Sequence, residues 1–120
     1  MRILIADQLS EQRLILRLYC KGHLVKECKH STEVLAKAKD ADIIFTEVWF
    51  PGLGGNEYLR ALRKKTNAKI IVTTAQKDDY ENVDMVIRKP FYKSEVIEAI
   101  SFITKKAKID GVNENKPSGD

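Results

Sequence analysis

Apolar and polar positions along this chain switch between two spacings. Arg2 to Ala6 is a short apolar run closed by Asp7, the pattern of a strand buried on both faces. Leu14, Ile15, Leu18 and Tyr19 then recur at helical spacing, with Ser10 as N-cap and Gly22 as stop. His23 to Cys28 mixes apolar and polar residues like a strand with one exposed face. Ser31 or Thr32 can cap a short helix over Val34, Leu35 and Ala38, and Asp42 to Thr46 is again a buried strand. Pro51 with Gly52, Gly54 and Gly55 predicts a loop, because glycine reaches the positive φ values that tight turns need. Asn56 can cap a helix carrying Tyr58, Leu59 and Leu62. Lys69 to Thr73 and Asp84 to Ile87 read as strands, and Lys93 to Lys108 as a helix with Val96, Ile100, Ile103 and Ala107 on one face. Gln76 to Asn82 is polar, has no apolar stripe, and at about 1.5 Å rise per residue holds at most about two turns. It is predicted to be a loop or a single turn. Residues 109–120 are polar and rich in Gly, Asn and Pro, which predicts a flexible tail after a domain of residues 1–108.

Alternating strand and helix patterns argue for an α/β sandwich around a parallel sheet with right-handed crossovers. In such folds the site lies at the carboxyl ends of the strands. Asp7, Glu47, Thr74 and Lys89 all fall at or near predicted strand ends. Four polar side chains from four separate segments therefore converge on one edge.

Composition narrows the function classes. A chain of 120 residues with 43% apolar content suits one domain. The net charge of +4 permits weak attraction to acidic partners but is no nucleic-acid signature. A small basic nucleic-acid-associated regulator, using Lys105, Lys106 and Lys108, is a disfavoured alternative. Arg60, Arg63, Lys64 and Lys65 are explained by the favourable field at a helix C-terminus. No apolar run approaches the roughly 20 residues that span a bilayer, and the first strand is too short for a signal-peptide core, so the expected location is cytoplasmic. Cys20 and Cys28 are expected to pack rather than pair or bind metal, and His23 and His30 lack metal-site spacing. No phosphate-binding glycine loop or Ser-His-Asp set occurs, so no enzyme activity is expected.

Four segments carry a resemblance. They are Ile3-Leu4-Ile5-Ala6-Asp7-Gln8, the run from Ala41 through Glu47 and Pro51-Gly52 to Gly55, Thr74-Ala75, and Lys89-Pro90-Phe91. In that order, over those strands, the chain resembles response-regulator receiver domains in all but its tail. The resemblance implies a CheY/flavodoxin-like three-layer sandwich with a five-stranded parallel sheet of order 2-1-3-4-5. It places Asp7 and Gln8 at the acidic-pocket positions, Glu47 at the phosphoacceptor position, and Thr74 and Lys89 at the phosphate contacts. It also implies a cis bond between Lys89 and Pro90.

The departures matter as much. Gln8 replaces the second acid, Glu47 stands where the family has aspartate, and Val86 occupies the position of the switch aromatic. The fourth helix is short or missing, and the span from Asp7 to Glu47 is compressed, which implies a shortened first or second helix. The family's usual signalling or dimer face, built from the fourth helix, fifth strand and fifth helix, must then differ, which favours a monomer.

Mg²⁺ prefers octahedral oxygen ligands that include carboxylates. With only Asp7 and Glu47 as acids, Mg²⁺ binding is expected to be weak or absent, and no other cofactor is implied. The extra methylene of Glu47 displaces its carboxylate, and a misplacement of ~1 Å can cost roughly a hundredfold in a reaction that depends on positioning. The longer side chain can instead reach Lys89 or Thr74 and imitate part of the phosphorylated state. Trp49 and Phe50 come next, Phe50 packing on the Pro51 loop and Trp49 offering a rim for a protein partner. The expected function is that of an atypical, or pseudo-, receiver: a phosphorylation-independent module that binds a signalling protein. The alternative is a phospho-receiver with a weakened Mg-dependent site in a two-component phosphorelay.

Overall fold

The computed structural model describes residues 1–115, with side chains through residue 105. The elements run β1 (Arg2–Ala6), α1 (Ser10–Tyr19), β2 (Leu24–Cys28), α2 (Ser31–Lys37) with a 3-10 turn (Ala38–Asp40), β3 (Ile43–Thr46), α3 (Gly55–Lys65), β4 (Lys69–Thr74), β5 (Met85–Arg88) and α4 (Lys93–Asn115). All ladders are parallel, and the strand order is β2-β1-β3-β4-β5. The five-stranded α/β sandwich expected from the sequence is the observed fold.

Successive strand side chains point to opposite faces, so each apolar run feeds two cores. Leu4, Ile44, Ile70 and Val72 face α2 and α3, where they meet Val34, Tyr58, Leu59 and Leu62. Ile5, Phe45 and Ile71 face α1 and α4, against Leu16, Val96 and Ile100. Continuous apolar runs in β1, β3 and β4 are what a sheet covered on both faces requires.

Several local expectations are corrected. The buried residues of α1 are Arg13 and Leu16, followed by Cys20 at its C-cap, while Leu14 and Leu18 are exposed. The Arg13 guanidinium donates to the carbonyls of Asp7 and Gln8 and to Glu27, and this anchor turns the Leu14–Leu18 stripe outward. Ser10 is the first helical residue rather than the cap, and α2 is capped at His30, whose N–H donates to Glu33. α3 begins at Gly55, so Asn56 is free to bind elsewhere. Residues 75–84 contain no helix, leaving β4 and β5 joined by a loop. α4 runs past Lys108 to Asn115, because helix propagation from a docked segment costs little and no proline intervenes before Pro117. The rest of the expected tail, residues 116–120, lies outside the described residues, as does the side chain of Ala107.

Candidate functional site

The parallel ladders bring all strand ends to one rim and continue one residue beyond the strands. Asp7 N–H donates to Cys28 O, Glu47 N–H to Ala6 O, and Lys89 N–H to Thr74 O. The backbones of Asp7, Glu47 and Lys89 are thereby fixed by the sheet rather than by free loops. The peptide bond between Lys89 and Pro90 is cis.

At this rim the Lys89 ammonium donates to Asp7 Oδ2 at 2.7 Å and to Glu47 Oε2 at 3.0 Å. Side-chain exposures are 13% for Lys89, 2% for Asp7 and 16% for Glu47, so the cluster is largely withdrawn from solvent. Burial lowers the Lys89 pKa, but the hydrogen bonds to Asp7 and Glu47, with their charges, raise it by more, and the net shift is upward. The remaining oxygens are also used. Asp7 Oδ1 accepts from Leu9 N–H, and Glu47 Oε1 accepts from Val48 N–H. All four carboxylate oxygens thus carry a hydrogen bond, with a cation between the two acids.

A divalent cation does not fit this donor set as arranged. It would have to displace an ammonium bonded to both carboxylates, and no third acid offsets the added charge. Gln8 points elsewhere, its Nε2 donating to Trp49 O at 3.1 Å. Among the described residues, no group of three His, Cys, Asp or Glu side chains is placed to hold a metal ion.

Thr74 ends β4 and is buried, but its hydroxyl serves the loop instead of Glu47. It accepts from Gln76 N–H at 3.1 Å and lies 3.4 Å from the Tyr80 hydroxyl. Tyr80 also receives the Trp49 indole N–H at 3.4 Å. Asn56 ties the same loop to α3, accepting from Glu81 N–H at 2.9 Å. The Arg88 guanidinium binds Gln76 O. Val86 is half-buried against the α2–α3 core. Phe50 is buried edge-on to Tyr58 at 5.3 Å between centroids, whereas Trp49 is 49% exposed and lies over Gly55, where a Cβ would come within 3.2 Å of its ring.

Three residues were missed from sequence. Arg13 holds the β1–α1 turn, and its signal was the spacing of Arg13, Leu16 and Cys20, a helical stripe with a charge in it. Tyr80 looked like one more polar-loop residue. Thr73 lies one step beyond the pairing of Thr46 with Val72 and so beside Glu47 in the sheet. Its hydroxyl is the one buried side-chain polar atom without a partner among the described residues. Both cysteines are buried and free, and burial pushes each thiol up to about 11, which fits packing rather than redox work.

A family model described as response regulator receiver domain matches residues 3–110. The chain is 29% identical over 117 residues to the transcriptional regulatory protein ResD of Bacillus subtilis, covering 88% of this chain and 49% of ResD. It is 26% identical over 114 residues to a CpxR homolog of Haemophilus influenzae, covering 88% and 50%. The chain therefore spans about half the length of the curated relatives it matches. Among solved structures, a two-component response regulator from Clostridium difficile superposes with TM-score 0.81 at 19% identity, covering 89% of this chain and 98% of that one. Chemotaxis protein CheY4 of Vibrio cholerae gives 0.74 at 20%, covering 85% and 97%.

Proposed function

The chain belongs to the response regulator receiver domain family, which acts in two-component signalling, and we propose that it works there as a phosphorylation-independent, atypical receiver that binds another protein. The observation that carries this reading is the Lys89 ammonium bonded to both Asp7 and Glu47. A phosphoacceptor carboxylate must present a free oxygen in line with its donor. Glu47 has both oxygens engaged and reaches further than an aspartate. The Glu47 carboxylate already supplies an anionic oxygen to Lys89, so part of the charge pairing that a phosphoryl group would bring is built in.

Further features support the reading. The position expected for a switch aromatic is Val86, which has no polar end to follow the site. The β4–β5 connection is a loop, so an output face made from a helix there is unavailable. Trp49, half exposed beside the rim, is the anchor type that protein interfaces use. No helix among the described residues is long and apolar enough to cross a membrane.

An amide NMR titration with Mg²⁺ and then beryllofluoride tests the proposal. The expected result is a folded spectrum without focused change. Saturable shifts centred on Asp7, Glu47, Thr74 and Lys89 would overturn it in favour of a working phospho-receiver. Glu47→Asp in the same titration separates the acceptor from its surroundings: continued silence is expected, because Lys89 and Gln8 still deny the cation its ligands.

A further inference from the structure

The end of the sheet opposite Asp7, Glu47 and Lys89 carries a second feature that the receiver reading does not use. α2 ends at Lys37, and the 3-10 turn returns the chain to β3 at once. This short helix leaves the start of β2 uncovered. Val25 joins the α1–α4 core and Cys28 the α2–α3 core, so by alternation Leu24 and Lys26 face the α2 side. Leu24 is 72% exposed there. Between β1, β2 and the end of α2 lies a cavity of about 520 Å³, within the range of small-molecule sites.

Its chemistry is two-part. Leu4, Leu24, Ala36 and Ala41 supply apolar surface, while Arg2, Lys26 and Lys37 line it with positive charge against the single acid Asp40. Arg2 is engaged, its N–H and guanidinium both meeting Asp42. Lys26 and Lys37 take part in no ion pair among the described residues. A neutral apolar ligand would leave both ammonium groups unused, and a cation would be repelled.

We propose that this cavity binds a small amphipathic carboxylate, with its alkyl or aryl body against Leu4, Leu24 and Ala36 and its carboxylate between Lys26 and Lys37. The site lies at the far end of the strands from the Lys89 cluster and is independent of it. A ligand here would bridge β2 to the end of α2.

The test is an amide and methyl NMR titration of the full chain with sodium octanoate, using 1-octanol as the uncharged comparator. Saturable shifts are expected at Leu4, Leu24, Lys26, Ala36 and Ala41, with none at Asp7, Glu47 or Lys89. Lys26→Gln and Lys37→Gln are each expected to weaken octanoate about threefold, as loss of an exposed ion pair does. Ala36 is exposed on α2, so Ala36→Trp is expected to fill the cavity and abolish the shifts without unfolding the protein. Absence of saturable shifts, equal affinity for octanol, or unchanged octanoate binding by Ala36→Trp would each overturn the proposal.

Discussion

The two halves of the strand-end rim are built differently. On the β1–β3 side, Asp7, Glu47 and the Lys89 ammonium are largely buried and bonded at 2.7 to 3.0 Å. On the β4–β5 side, Thr74, Tyr80 and Trp49 meet at 3.4 Å, and the loop's polar groups are mostly exposed. Asn56, accepting from Glu81 N–H at 2.9 Å, is the tighter tie between that loop and α3. The first half is positioned by ladder hydrogen bonds that any such sheet supplies. The second depends on the segment after β4, and here a loop stands in place of a helix. The lysine of such a site can therefore keep its place between two carboxylates, even with one acid replaced by Gln8, while the segment after β4 is rebuilt.

The largest expected effect comes from breaking the tight half. Lys89→Met leaves two partly buried carboxylates facing each other without a cation, and chemical denaturation is expected to show a loss of about 3 kcal/mol. Glu47→Gln in that background should recover part of the loss, giving a favourable coupling in a double-mutant cycle. The pH dependence has a definite sign. Because the folded-state pKa of Lys89 is raised, its contribution is complete below the ordinary value of 10.5 and disappears as pH rises through the folded value. The stability gap between wild type and Lys89→Met should hold below that pH and close above it.

Arg13→Met is expected to cost about 2 kcal/mol, since the carbonyls of Asp7 and Gln8 and the Glu27 carboxylate lose a buried donor. The same variant should broaden the amide signals of residues 7–9, because the turn bearing Asp7 loses its clamp. If stability falls and those signals stay sharp, the ladder alone fixes Asp7, and the contrast between the two halves rests on the sheet without help from α1.

Legibility in the sequence divides along the same line. Strand runs such as Arg2 to Ala6 and Asp42 to Thr46 were visible because burial on both faces leaves an unbroken apolar pattern. Asp7, Glu47 and Lys89 were visible because strand ends in a parallel sheet share an edge. The orientation of α1 was not, because Leu14 and Leu18 form as good a stripe as Leu16 and Cys20, and the choice is made by long-range bonds from Arg13. Thr74 was placed correctly at the end of β4, but its hydroxyl partner, Tyr80, comes from a loop whose path no periodicity encodes. The cavity under α2 was hinted at only by the compressed span between Asp7 and Glu47.

Thr73 sharpens the contrast from inside the sheet. Its hydroxyl is fully buried and unpartnered, next to the best-bonded part of the rim. A buried donor without an acceptor is a net cost, and replacing it by a methyl of the same shape removes that cost. Thr73→Val is therefore expected to raise stability by about 1 kcal/mol in chemical denaturation. A loss instead would mean that the hydroxyl is bonded in solution, with the Glu47 side of the rim more hydrated than its hydrogen-bond pattern implies.

The smallest effect is expected at the loose half. Tyr80→Phe removes the hydroxyl between Thr74 and Trp49 and keeps the ring that packs on the α2–α3 core. Contacts as long as 3.4 Å contribute little, so the stability change should stay below about 0.5 kcal/mol. The fluorescence of Trp49, the chain's one tryptophan, should nonetheless change, because its indole N–H loses an oxygen partner to water. A stability loss of the size expected for Arg13→Met would show that the β4–β5 loop is held as firmly as the turn that bears Asp7. The two halves of the rim would then form one cooperative unit, and the loop would be as much part of the site as the strands are.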